Sequence, residues 1–211
     1  MVLNVNRMGQ MHGVFAMMRD YTDYVYACDQ TIADGILDSL RALVITMDGD
    51  YKTATLQKIK AFGEGGGLLI GLNLGELRDL DEGKDYLDIL FGADGGKVLG
   101  KGKTCLIRGQ VGAKVEDTTT SSSFVIKNTR EGMQAMQREV CDVATAFLAE
   151  NGVFVSDGIM DGLYTARRNH DGVDTIFTMN YSGKDITRSF TRPDGSVFET
   201  EVKDLAIVEY K

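Results

Sequence analysis

The sequence predicts an α+β chain: a helical N-terminal region, then a module with one helix packed on an antiparallel meander sheet. Three observations predict it. Apolar residues recur at spacings of three and four near the start, and the same spacing returns at 133–147. From residue 173 onward the chain holds short alternating runs separated by turn residues. The expected division is a mainly helical assembly region over 1–95 and the α+β module over 96–211.

The 211 residues carry 31 acids against 23 Lys and Arg, a net charge of −8, with 43% hydrophobic residues. Such a composition excludes wholesale disorder and fibrous repeats, and the length suffices for a real core. No apolar run approaches the roughly 18 residues of a membrane span. Residues 1–12 lack the basic-then-apolar layout of a signal peptide, so the expected location is the cytoplasm or a virus particle assembled there. Acidic balance also disfavours nucleic acid as the main partner.

Charge is unevenly placed. Residues 20–94 hold fifteen acids and six bases, whereas residues 95–115 hold no acid and five bases, among them Lys97, Lys101, Lys103 and Arg108. These read as a solvated basic hairpin beside an acidic region, or as a basic surface docking on the acidic surface of a neighbouring copy. Cys28, Cys105 and Cys141 are odd in number and without CxxC spacing, which suits buried free thiols in a reducing compartment.

Along the chain, Met8, Met11, Phe15, Met18, Thr22, Val25, Asp29, Ile32 and Ile36 fall on one helical stripe. One helix could span 6–47, and a break near Gly35 is equally compatible. Its Met-rich start is either ordinary core or an adaptable seam for partner helices, with Met8, Met11, Phe15 and Met18 as its contacts. A second helix is expected over 51–62, ending at Gly63. The stretch 68–80 suits strand or helix, 85–91 a short helix, and 91–102 a loop. Strands are expected over 104–111 and 124–127, separated by a polar loop. Asn128 and Glu131 then open a helix carrying Met133, Met136, Val140, Val143 and Phe147, which Asn151 and Gly152 end. In the meander, pairing Phe190 with Phe198 and Ile186 with Val202 is favoured, because a one-residue slip would set Phe190 against Glu199. A last strand is expected over 205–210.

Motifs for chemistry are mostly absent. Gly100-Lys101-Gly102-Lys103-Thr104 lacks the leading glycine of a phosphate loop and runs into a strand instead of a helix. The glycines of 63–75 do not give GxGxxG between strand and helix. Asp79, Asp81, Gly83, Asp85 and Asp88 resemble a calcium loop, but Lys84 and Leu90 occupy the key positions. Only His12 and His170 are available as imidazoles, no GxSxG is present, and the Asp157/Asp161 and Asp171/Asp174 pairs sit beside turn glycines. No catalytic residue, cofactor or metal is therefore expected. The reading is a non-enzymatic structural or assembly subunit of a homo-oligomer or larger complex, for instance a phage-type virion component. The alternative is a protein or enzyme binding a small anionic ligand where the two halves meet, near the lysines of 92–102.

Overall fold

The computed structural model describes residues 18–19, 21–22, 24–108, 130–156, 162–191 and 196–210. The described elements include both helices and strands, in two compact units. One comprises residues 1–15 and 25–153, the other residues 16–24 and 154–211.

The first unit is built on a sheet. Its described elements are helix α1 (Asp29–Ala33), a 3-10 turn (Ile36–Ser39), strands β1 (Ala42–Ile45) and β2 (Gly49–Tyr51), and helix α2 (Thr53–Gly65). Strands β3 (Leu68–Leu72) and β4 (Leu77–Asp79) follow, then helix α3 (Leu87–Phe91), β5 (Gly96–Leu99), β6 (Gly102–Ile107) and helix α4 (Arg130–Glu150). The main sheet has the order β1-β3-β6-β5, parallel except where β5 turns back on β6. All five residues of β3 are buried, which is why the strand, Leu68-Leu69-Ile70-Gly71-Leu72, carries no polar side chain. A central parallel strand is covered on both faces. Leu56 and Ile59 of α2, Leu90 and Phe91 of α3, and Leu69 and Leu106 of the sheet form one core.

Of the two expectations for the N-terminal region, a single helix through 47 is corrected and the break near Gly35 is found. Residues 24–28 are not helical, Gly35 stands at φ +93°, and residues expected to continue the helix form β1. A left-handed glycine ends helical propagation, and the β-branched Val44 and Ile45 gain more from pairing with Ile70 and Gly71 of β3. The division expected at 95/96 runs through this sheet, whose strands β1 and β3 precede it and β5 and β6 follow it. The stretch expected as a loop over 91–102 contains β5 and the turn into β6.

Helix α4 ends where expected, with Gly152 at φ +76° and Val153 N–H donating to the Leu148 carbonyl. Its buried stripe is Val140, Cys141, Ala144, Thr145 and Leu148, while Val143 is exposed. The helix is thus turned away from the expected Val143–Phe147 seam. Thr145 tolerates burial because its hydroxyl donates back to the Cys141 carbonyl at 2.7 Å. The helix belongs to the first unit, against β6, where the expectation had put it on the C-terminal meander. The strand expected at 124–127 and the cap at Asn128 lie outside the described residues.

The second unit contains β7 (Leu163–His170), β8 (Val173–Asn180), β9 (Ile186–Thr191), β10 (Val197–Val202) and β11 (Ile207–Tyr210). Asp171 and Gly172 both have positive φ, as a two-residue hairpin turn requires. β9 and β10 pair in the expected register, Phe198 against Phe190 and Val202 against Ile186; the turn at 192–195 lies outside the described residues. The meander is not continuous, however, since β11 returns to β8 instead of β10. Leu163 and Val202 are buried against Ile186, Phe198 and Val208. On β8 the buried face is Ile176, Thr178 and Asn180. The apolar series Val173, Phe177, Met179 and Tyr181 occupies the other side.

Candidate interaction surface

Two glycine-rich segments that resemble ligand loops in the sequence meet each other in the fold. A Cβ on Gly102 would overlap the carbonyl oxygens of Gly63 and Gly67, and a Cβ on Gly100 would lie 2.5 Å from the Glu64 carbonyl oxygen. Lys101 N–H donates to that same carbonyl at 2.9 Å. The turn from β5 to β6 is therefore sealed on the C-terminal end of α2, and its amides are not presented to a phosphate.

The acidic loop after β4 is likewise turned inward. Asp79 is fully buried, and its Oδ1 accepts from the Thr53 hydroxyl and from the amides of Asp81 (2.8 Å) and Glu82 (3.1 Å). The Thr53 hydrogen bond, aided by those amides and the charge of Lys84, holds the Asp79 carboxyl below its ordinary range against the opposing effect of burial. Asp85 Oδ1 accepts from the amides of Leu77 and of Leu87, the first residue of α3. These carboxylates organise backbone, and among the described residues no three metal-binding side chains gather.

The expected contact residues are distributed as follows. Met8, Met11 and Phe15 lie outside the described residues. Met18 is 3% exposed, covered by its own chain. Lys97 is half-buried and its Nζ donates to the Asp88 carbonyl at 3.2 Å, so it ties β5 to α3. Lys101, Lys103 and Arg108 are exposed. Lys103 stands opposite the exposed Val98 in register, giving the hairpin a mixed basic and apolar outer side. The thiols are free, with Cys141 buried, Cys105 half-buried and Cys28 exposed, so burial holds for only part of the expectation. Thr31 hydrogen bonds draw the Cys28 thiol down, whereas burial pushes Cys105 up.

A further surface escaped the sequence reading. Ala206 N–H closes a turn on the Lys203 carbonyl at 3.1 Å, with Leu205 at φ +57° in its third position. That position ordinarily takes Gly or Asn. Leu205 is nevertheless 80% exposed and Ile207 is 71% exposed. Ile207 pairs with Met179 across β11 and β8, and Met179 and Tyr181 are also exposed. The turn is rigid: Asp204 Oδ1 accepts from Gly183 N–H, and Asp185 Oδ1 from Asp204 N–H, both at 2.9 Å. Lys203 Nζ is paired with Asp185 at 2.8 Å and Glu201 at 2.7 Å. The available signal was Asp204, which marks a turn and displaces Leu205 from the strand.

No protein-family model and no curated protein matches the chain. A solved structure that does is the apo exo-carrageenase GH42 from Bacteroides ovatus, with 12% identity and a TM-score of 0.47 over 96% of this chain and 26% of that one. This chain spans about a quarter of that structure's length. So slight a likeness carries no argument about fold or chemistry. No described helix is long and apolar enough to cross a membrane.

Proposed function

We propose that the chain is a non-enzymatic structural subunit that works by assembly, in a homo-oligomer or a larger complex such as a virus particle. The observation that carries this reading is Leu205. A bulky apolar side chain held in a left-handed turn and exposed to water costs of order 1 kcal/mol of strain and gains little burial within its own chain. Its neighbours Ile207, Met179 and Tyr181 extend it into a patch rimmed by the Lys203 ion pairs, and covering such a patch with another polypeptide gives the strain a return. The exposed Lys101, Lys103 and Arg108 add basic charge to a chain whose 20–94 stretch is acid-rich in sequence, which suits steering between copies.

Size-exclusion chromatography with light scattering, at micromolar protein in low and high salt, tests this. An oligomer is expected, and the double substitution Leu205→Gly, Ile207→Thr is expected to reduce it to smaller species without unfolding. A monomer under both salt conditions overturns the reading.

A further inference from the structure

A cleft of about 530 Å³ opens in the first unit between the α1–β1 connection and the C-terminal end of α2. Its floor is apolar, with Ile32 and Leu37 buried and Phe62 half-buried. Its polar lining is Arg41, Lys58 and Asp38. Two of the six bases of the acid-rich stretch 20–94 therefore stand at one opening, against one carboxylate. Neither Arg41 nor Lys58 is in an ion pair among the described residues, whereas Lys60 and Arg78 of the same stretch are. Lys58 Nζ is positioned by donating to the Ala33 carbonyl at 2.9 Å, which leaves two of its three donors available.

Gly65 supplies an independent observation. It is the last residue of α2, its φ lies outside the left-handed region, and a Cβ there would meet nothing within 4 Å. Neither conformation nor packing calls for glycine, and glycine in a helix costs about 1 kcal/mol relative to Ala. Gly63, Gly66 and Gly67 each have such a reason: close packing for the first and last, φ +121° for the second. Gly65 lines the cleft, and what its missing side chain leaves is room. The end of α2 does not repel an anion strongly, because its carbonyls are taken: Phe62 by Gly67 N–H, Gly63 by Gly66 N–H and Glu64 by Lys101 N–H.

From the cleft, the unpaired bases and the unexplained glycine, we infer a binding site for an organic anion with a flat apolar body, its ring on Ile32, Leu37 and Phe62 and its charged group between Arg41 and Lys58. A volume of this size suits a ligand of one or two rings.

The test uses 8-anilinonaphthalene-1-sulfonate and its uncharged analogue N-phenyl-1-naphthylamine, with binding followed by fluorescence and located by amide NMR shifts. The sulfonate is expected to bind once per chain, shifting the amides of Arg41 and Gly65 to Gly67. Arg41→Glu with Lys58→Glu is expected to raise its Kd at least about fivefold while leaving the uncharged analogue's Kd unchanged. Gly65→Leu, whose side chain enters open space, is expected to block both probes while retaining the wild-type circular dichroism. Amide shifts elsewhere, a smaller change in the charge-reversed protein, or unaltered binding in Gly65→Leu overturns the inference.

Discussion

Gly102 faces the carbonyl oxygen of Gly63 so closely that even a methyl group on Gly102 would overlap it. The opposing atoms are backbone and cannot swing aside. Gly102→Ala is therefore expected to destabilise the first unit by about 3 kcal/mol or to prevent its folding, measured by urea denaturation. Gly65→Ala, next to Glu64 but with nothing within 4 Å of an added Cβ, is the contrasting case, with stability unchanged or raised by up to about 1 kcal/mol.

Asn180 is fully buried and completely satisfied. Its amide donates to the Val202 carbonyl at 2.7 Å and the Lys184 carbonyl at 2.9 Å, and its Oδ1 accepts from Ser182 N–H at 3.0 Å. Asn180→Leu leaves those backbone groups without partners and is expected to cost about 2–3 kcal/mol in the second unit. Thermal melts followed by near-ultraviolet circular dichroism would report it.

Tyr51 is the alkaline reporter. Burial, then the charges of Asp29 and Asp48, push its phenol up to about 12, and its hydroxyl donates to the Met47 carbonyl. The folded state holds the proton more tightly than the unfolded one, so this contribution is complete below about pH 10 and is lost as pH rises toward 12. Absorbance titration is expected to show a late-ionising component that is lost in Tyr51→Phe.

Asp79 works in the opposite direction. Its carboxyl ionises below the ordinary value, so the stability it gives is complete above about pH 4 and is lost as pH falls through the lowered value. Thr53→Val removes the chief cause. The stability gap between wild type and variant is expected to be widest near neutrality and to close in acid. A gap independent of pH would show that the hydroxyl does not act through the carboxylate.

Leu205 carries strain that glycine would not. Leu205→Gly is expected to raise monomer stability by about 0.5–1 kcal/mol while weakening self-association. A loss of stability in dilute solution would mean that the side chain packs within its own chain.

What could be read in the sequence was local or pairwise. The mixture of helix and strand, the end of α4 at Asn151 and Gly152, and the β9–β10 register follow from capping, periodicity and the cost of a one-residue slip. The basic residues of 97–108 were legible as a charge cluster, and the failure of Gly100–Thr104 as a phosphate loop was legible from its spacing. Ambiguity began where one pattern fits two structures. The apolar run at 68–72 becomes a strand only because neighbours cover both its faces, and the spacing from Met8 to Ile36 says nothing of Gly35's positive φ.

The sequence by itself determined which segments are apolar and where several turns fall. Tertiary structure alone decided that β6 joins the parallel strands begun at Ala42 with β5 antiparallel at its side, that Gly102 meets Gly63, and that Leu205 points into water. The reason is physical. Periodicity and capping act over a few neighbouring residues, whereas burial and close approach depend on what distant segments place opposite them, and a chain pattern does not record its partners.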